Sequence, residues 1–233
     1  MPSDTPAEVS VPALVPWTVA LDRYFVAFQK SQASLRNTTM EVEIEAQLPM
    51  LKKSAILHAL RGITRLGQIT YEALWSSGDK TALKDVIARY MSAETEASSG
   101  QAKPNGKPLS MGITPENYKF KSRGISTVGD KRTYVIQVTP KSKRVGLFKG
   151  EIRVDAETFL PVMESGEFVK NPSVFLWKVR FVRRYEIQDG MAVPTDVETV
   201  VDTRIVGQAR LNIHFANLTL PEMAQSRFCP LGW

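Results

Sequence analysis

Unbroken alternation of apolar and polar side chains over residues 40–48 constrains the fold of this chain more than any other feature. On an extended chain, Met40 and the apolar residues that follow it at every second position point to one side, while Glu41, Glu43 and Glu45 point to the other. This pattern predicts a half-buried antiparallel strand. The glutamates are then a solvated row on its exposed face, not a carboxylate cluster for chemistry.

The same period of two recurs in one run after another over residues 117–218. Turn signals join these runs, and Asp189-Gly190 is the strongest of them, so the runs predict an antiparallel meander. Together with the runs over residues 40–75, they give about ten strands, and so wide a sheet must curl over its apolar face.

Two segments have the helical period needed to cover that face. Residues 17–34 carry aromatic side chains at spacings of three and four, and residues 83–97 repeat the helical spacing after a turn, with Thr81 as the expected cap. The sequence therefore predicts an α+β fold. We expect a strongly curved antiparallel half-barrel of roughly ten strands, with helices across its concave face.

The 233 residues are expected to form a single half-barrel domain over residues 17–233, after an extended or disordered segment at 1–16. A mobile loop is expected near residues 95–112, where polar and small residues dominate. Residues 1–16 lack the basic start and apolar core of a secretory signal, and Cys229 is the only cysteine. These features leave open both a cytoplasmic protein and an exported protein whose signal has been removed.

Residues for catalysis or metal binding are scarce. His58 and His214 are the only histidines, and neither lies in the pattern of a zinc site or a catalytic triad. The chain also lacks a glycine-rich phosphate loop and a nucleophile elbow. We therefore expect no enzymatic activity, no cofactor and no metal.

The net charge of +6 is concentrated in the C-terminal runs, where Lys178, Arg180 and Arg184 share one strand face and form the expected basic surface. Such a surface attracts nucleic acid, anionic lipid headgroups or an acidic protein. A platform for nucleic acid needs rings and cations on one face, whereas the aromatic residues of this run, such as Phe181, lie on the opposite face. Nucleic acid is therefore not an expected partner.

Strand ends and turns follow one another in a distinctive order between residues 134 and 215. The series is Thr139-Pro140-Lys141, Gly150-Glu151-Ile152-Arg153-Val154-Asp155, Leu160-Pro161-Val162, Arg184-Tyr185-Glu186, Asp189-Gly190, Val193-Pro194 and Thr203-Arg204-Ile205-Val206-Gly207. This order resembles the superfamily of outer-membrane lipoprotein-sorting and carrier proteins, with the LolA-like and LolB-like fold. The resemblance implies a helix-plugged half-barrel that shelters acyl chains. It also implies a periplasmic or cell-envelope location, with a signal segment that this sequence does not contain.

Two functions remain open at this stage. The first is an envelope carrier or sensor that binds a lipid or an acylated protein on the concave face. The second is a non-enzymatic interaction protein with a filled core, which docks an acidic envelope partner or an anionic membrane through its basic surface or sheet edge. An open apolar cavity of at least about 300 Å³ would favour the first. The residues expected to line it are the inner members of the alternating runs: Met40, Val42, Ile44, Tyr71, Trp75, Tyr134, Ile136, Trp177, Val179, Phe181, Leu211, Ile213 and Phe215.

Overall fold

The computed structural model describes residues 14–99, 112–170, 176–203 and 207–220, without the side chains of Leu176 and Trp177. Within them, ten strands form one antiparallel sheet, which confirms the predicted fold class. The strands are β1 (Thr38–Leu48), β2 (Lys53–Ile63), β3 (Ile69–Gly78), β4 (Tyr118–Val128), β5 (Lys131–Pro140), β6 (Phe148–Asp155), β7 (Pro161–Phe168), β8 (Leu176–Gln188), β9 (Met191–Thr203) and β10 (Gln208–Thr219).

The strand order makes an open sheet. From one edge to the other the order is β3-β2-β1-β10-β9-β8-β7-β6-β5-β4. Strands β4 to β10 are therefore a meander, and β1 pairs with β10 at its end. In the described residues β3 and β4 each pair on one side only, so the two edges do not meet.

Local backbone chemistry sets the turns and the close approach of strands. At the turn between β8 and β9, Asp189 and Gly190 have φ values of 50° and 74°, as a tight two-residue hairpin requires. Between β6 and β7, a Cβ added to Gly150 would lie 1.9 Å from the carbonyl oxygen of Ser165. Only glycine allows the two strands to come so close at this position.

The first helix, α1 (Trp17–Ser34), has the predicted bounds. Its inner face buries Tyr24 completely. Two hydrogen bonds fix it to the sheet: the Tyr134 hydroxyl donates to the carbonyl oxygen of Val15 just before the helix (2.8 Å), and the amide of Ala192 donates to Ser31 Oγ (2.8 Å). These bonds set the position of α1 along the concave face.

A second helical stretch covers the strands nearer the β3 edge, and we call it the cover helix. It comprises α2 (Lys80–Ala82), the π-helical residues Leu83–Ala88 and α3 (Arg89–Ser98). The expected cap at Thr81 is wrong: Asp79 is the cap, and its Oδ1 accepts hydrogen bonds from the amides of Thr81 (2.7 Å) and Ala82 (3.3 Å). Asp79 takes this role because it is the last extended residue before the first helical turn.

Two predicted segments fall largely outside the described residues: positions 1–13 of the N-terminal segment, and positions 100–111 of the loop expected near 95–112. The start of that loop is helical, because α3 continues to Ser98. None of the described helices combines the length and apolar character that crossing a membrane requires.

Candidate functional site

The concave face holds nearly all of the predicted lining residues, and the structure buries them beneath the helices. Each of these ten is at most 8% exposed: Met40, Val42, Ile44, Tyr134, Ile136, Val179, Phe181, Leu211, Ile213 and Phe215. Tyr71 is half-buried on the same face, and the side chain of Trp177 lies outside the described residues. The alternating pattern therefore identified an inner face, which the helices cover.

Trp75 lies on the convex face instead, with 51% of its surface exposed. Its indole stacks on the ring of His58, with 4.0 Å between ring centroids, and His58 in turn pairs with Glu43 on the outside of the sheet (2.7 Å). The reason is a bulge at Leu74: His58 pairs with Trp75, whereas the next residue of β2, Ala59, pairs with Ala73. One extra residue reverses the faces of a strand, so simple alternation placed Trp75 wrongly.

The buried side chains of the concave face form two separate clusters. The aliphatic half lies under the cover helix on strands β1, β2, β9 and β10, and among its described members Phe215 is the one buried ring. Its buried members are Leu35, Met40, Val42, Ile44, Ala46, Leu48, Ala55, Leu57, Ala59, Ala82, Ile87, Met191, Val193, Val197, Ala209, Leu211, Ile213 and Phe215.

The aromatic half lies under α1, mainly on strands β4 to β8. Its rings touch in series, so that Phe181 lies 4.9 Å from Phe148 and 5.2 Å from Phe168 between ring centroids. Its buried members are Ala20, Leu21, Tyr24, Ile113, Tyr118, Tyr134, Ile136, Val138, Leu147, Phe148, Ile152, Val154 and Phe181.

Charged and hydroxyl-bearing side chains lie where the two halves meet, and we call this group the polar seam. Two arginines link it to both halves: the Arg61 guanidinium lies 5.7 Å from the centroid of the Phe215 ring, and that of Arg183 lies 6.0 Å from the Phe181 ring. Its members are Arg61, Tyr71, Tyr90, Glu94, Glu164, Arg183 and Tyr185.

The first part of the seam ties the cover helix to the sheet. Arg61 is only 7% exposed, and its Nη2 and Nε lie 2.9 and 3.4 Å from the two carboxylate oxygens of Glu94 on α3. Glu94 Oε2 also accepts hydrogen bonds from the hydroxyls of Tyr71 and Tyr90. Burial alone would raise the pKa of Glu94, but the Arg61 charge and the hydrogen bonds outweigh it and lower this pKa.

The second part of the seam lies on β7 and β8. Arg183 Nη1 is 3.4 Å from Glu164 Oε2 and 3.5 Å from the Tyr185 hydroxyl, both long for a hydrogen bond. Burial, followed by the nearby Glu164 carboxylate, raises the pKa of Tyr185, so its hydroxyl keeps its proton. Glu164 has 5% of its side chain exposed, but Arg183 has 40%. Arg183 is thus partly exposed to solvent, whereas its partner Glu164 is buried.

The expected basic surface is largely neutralised by its neighbours. Each of its three cations makes a cross-strand ion pair: Lys178 with Glu167 (2.9 Å), Arg180 with Asp202 (3.3 Å) and Arg184 with Glu198 (2.6 Å). On the convex face these side chains form pairs rather than a row of unmatched charges.

The two histidines make single ion-pair contacts on the surface. His214 Nδ1 lies 3.1 Å from Asp196 Oδ1, and His58 pairs with Glu43 as described above. In the described part of the chain, no three His, Cys, Asp or Glu side chains come together as a metal site would require.

Two hollows are open to solvent on the outer sides of the helices. One of about 440 Å³ follows the cover helix between Lys84 and Glu96, and one of about 340 Å³ follows α1 between Asp22 and Lys30. Inner-face residues of the sheet line neither of them.

Sequence reasoning missed the polar seam. Arg61 continues the inner series that begins with Ala55, and Arg183 and Tyr185 continue the one that contains Phe181. The pattern that indicates the seam is a charged residue at the same alternating positions as the apolar residues of its strand. This signal does not name the partners, because Arg61 meets Glu94 across 33 positions and Arg183 meets Glu164 across 19.

No protein-family model and no curated protein matches the chain. A search of solved structures does give matches. A DUF1329 family protein from Desulfovibrio piger is 15% identical, with a TM-score of 0.43 over 87% of this chain and 93% of the other. An outer membrane lipoprotein-sorting protein domain from Vibrio parahaemolyticus is 9% identical, with a TM-score of 0.40 and the same coverage of both chains.

A LolA superfamily protein from Nitrosomonas europaea is 12% identical, with a TM-score of 0.39 over 89% of this chain and 97% of that one. Two of these three proteins carry the names of the superfamily that the sequence resembles.

Proposed function

We propose that this protein is an envelope carrier or sensor, which shelters the acyl chain of a lipid or of an acylated protein against the concave face of its sheet. The main support is the contrast between a broad apolar face and a cover helix that buries few of its own side chains. In the whole cover helix only Ala82 and Ile87 are fully buried, and α3 has no buried residue. An apolar ligand could therefore replace the cover helix without disrupting the sheet.

The magnitudes support this exchange. Burying the Ile87 side chain contributes about 1.5–3 kcal/mol, and the ion pair of Arg61 with Glu94 adds a similar amount. Leu83, Val86, Tyr90 and Met91 of the cover helix are partly buried against the same cluster and add to this. An acyl chain that buries about ten CH₂ groups gains about 8 kcal/mol at about 0.8 kcal/mol each. The free energy that the ligand gains is therefore of the same order as that of the contacts it replaces.

A second candidate is an interaction protein with a filled core. It is favoured by the burial of the inner face and by the two unpaired edges, one of which exposes Leu74 (54%) and Trp75 (51%) on β3. Docking through the basic surface has less support, because Lys178, Arg180 and Arg184 already have acidic partners. On this proposal an apolar ligand should not bind at all.

Titration with N-phenyl-1-naphthylamine, an uncharged apolar dye, distinguishes the two candidates. We expect the folded wild-type protein to bind the dye. The Glu94→Gln variant should bind it more tightly, because the charge that holds the cover helix on Arg61 is lost. Glu96→Gln, two residues further on the exposed side of the same helix, should bind like the wild type.

If neither the folded wild type nor Glu94→Gln binds the dye, the carrier proposal fails and the interaction protein replaces it. Native mass spectrometry of the protein purified from its own host complements the titration. A co-purifying phospholipid or acylated peptide would identify the ligand.

A further inference from the structure

Tyr24 has a buried hydroxyl for which the described residues offer no hydrogen-bond partner. The residue is 0% exposed at the centre of α1. Burial, followed by the charge of Glu164, raises its pKa well above the ordinary value, so the hydroxyl remains a proton donor. A buried donor without an acceptor costs stability, and natural proteins rarely keep one without a reason.

The surroundings of this hydroxyl contain further unused hydrogen-bonding capacity. Tyr24 belongs to the same buried cluster as Phe181, whose ring lies 6.0 Å from the Arg183 guanidinium. Glu164 and Tyr185, which act electrostatically on the Tyr24 hydroxyl, lie in the same part of the seam. Arg183, which contacts both, uses only Nη1 for them, and its Nε and Nη2 make no hydrogen bond to the described residues. Its 40% exposed side chain shows that a small group can reach it.

The charge balance of the seam limits what that group can be. Arg61 and Arg183 are matched by Glu94 and Glu164, both of which face the interior. An anionic group bound at Arg183 would either meet the Glu164 carboxylate or displace it, and would leave it buried without its counter-charge. A neutral group that both accepts and donates hydrogen bonds meets neither penalty.

We propose that this part of the seam binds the uncharged linkage next to the acyl chain, which is an amide or an ester with an adjoining hydroxyl. Tyr24 and Arg183 donate hydrogen bonds to its carbonyl oxygen, and Glu164 accepts one from its amide N–H or hydroxyl. This inference rests on the proposed function, since it assigns the head of the same ligand. The acyl chain then runs from the seam across the aliphatic half, and the linkage completes the hydrogen bonding of Tyr24.

The test is displacement of the apolar dye by two lipids of equal chain length at pH 7.5, monopalmitoylglycerol and palmitate. We expect the glycerol ester to bind more tightly than the ionised acid. Tyr24→Phe should weaken ester binding about three- to tenfold, which corresponds to one lost hydrogen bond. The same variant should melt at the wild-type temperature or above it, because an unpartnered buried hydroxyl is removed.

Tyr118→Phe is the matched control. Its hydroxyl accepts a hydrogen bond from the amide of Phe148 (3.2 Å), so removing it should lower the melting temperature and leave ester affinity unchanged. An N-palmitoylated neutral peptide amide tests the other source of such a linkage. The ligand that binds the wild type more tightly and loses more affinity in Tyr24→Phe identifies a lipid or an acylated protein as the source.

The outcomes separate this inference from the proposed function. If the dye binds but palmitate binds as tightly as the ester, or if Tyr24→Phe leaves the affinity of both uncharged ligands unchanged, the assignment of the seam is overturned and the carrier proposal stands. If the folded wild type binds neither dye nor lipid, both are overturned.

Discussion

The two halves of the concave face differ in what fills them and in what holds their helix. In the aromatic half, rings contact one another from α1 to β8, and α1 itself contributes Tyr24, stacked 5.5 Å from Phe28. In the aliphatic half, short branched side chains and alanines face a helix that buries only Ala82 and Ile87. One sheet thus carries two cores of different character.

The difference suggests that the aromatic half maintains the fold and the aliphatic half admits the ligand. Ring pairs have preferred geometries and fill space with few rotamers, so the aromatic half fixes the curvature of the sheet and the position of α1. Aliphatic side chains adapt more easily to a new neighbour. The cover helix is held there by the Arg61–Glu94 ion pair and by packing of Ile87 and its partly buried apolar neighbours. A ligand should therefore enter through the aliphatic half while the aromatic half keeps the fold.

The largest effect is expected from removing a ring at the centre of the aromatic half. Phe181→Ala should lower the free energy of unfolding by about 3–5 kcal/mol, because the cavity also deprives Phe148 and Phe168 of their partner. Urea denaturation measures this. Arg180→Ala, one position away on the convex face, is the control and should cost less than about 1 kcal/mol. A cost of Phe181→Ala below about 1.5 kcal/mol would contradict a structural role for the ring series.

A smaller loss of stability is expected from removing the Arg61–Glu94 ion pair, which links the cover helix to the sheet. Arg61→Met should cost about 1–3 kcal/mol, less than a fully buried unpaired charge would, because Glu94 can move into solvent together with its helix. Hydrogen exchange should increase over residues 80–98 and stay unchanged over α1. A double-mutant cycle with Glu94→Gln isolates the pair, with an expected coupling of about 1–2 kcal/mol. If α1 loses protection equally, the two halves are not independent.

The sequence predicted the sheet well because its signal is local. Alternation at every second residue and turn pairs such as Asp189-Gly190 act within a strand or a hairpin, and they sufficed for ten antiparallel strands. The spacing of three and four residues, which acts within one helix, likewise gave the bounds of α1. Where one residue breaks the period, as Leu74 does in β3, the alternation rule placed Trp75 on the wrong face.

The candidate site could not be predicted to the same extent, because it depends on contacts across the sheet. Arg61 meets Glu94 across 33 positions, and Arg183 meets Glu164 across 19. Periodicity states which face a side chain takes, but it does not state which distant side chain lies opposite. The unpartnered hydroxyl of Tyr24 has no sequence signal at all, since the same helical position would suit a phenylalanine.

Acid should loosen the aliphatic half before the aromatic half. The pKa of Glu94 lies below its ordinary value of 4.5, so its contribution to stability is fully present above that pH and is lost as the pH falls through the lowered value. Hydrogen exchange over residues 80–98, corrected for intrinsic rates, should therefore increase between pH 5 and pH 3. In Glu94→Gln this local increase should be absent. Equal pH dependence in both proteins would show that another group controls the cover helix.

The smallest effect is expected on the convex face, outside both halves. Arg180→Glu replaces a cation that lies 3.3 Å from Asp202 and is half-exposed, so repulsion between the two carboxylates is screened by water. We expect a loss of less than about 1 kcal/mol in urea denaturation and unchanged binding of the apolar dye, because neither half of the concave face is touched. Asp202→Asn leaves Arg180 unmatched and should strengthen adsorption to vesicles that contain phosphatidylglycerol, whereas Arg180→Glu should weaken it. If Arg180→Glu instead abolished dye binding, the ligand would reach the protein through the convex face, and the comparison of two inner halves would lose its functional meaning.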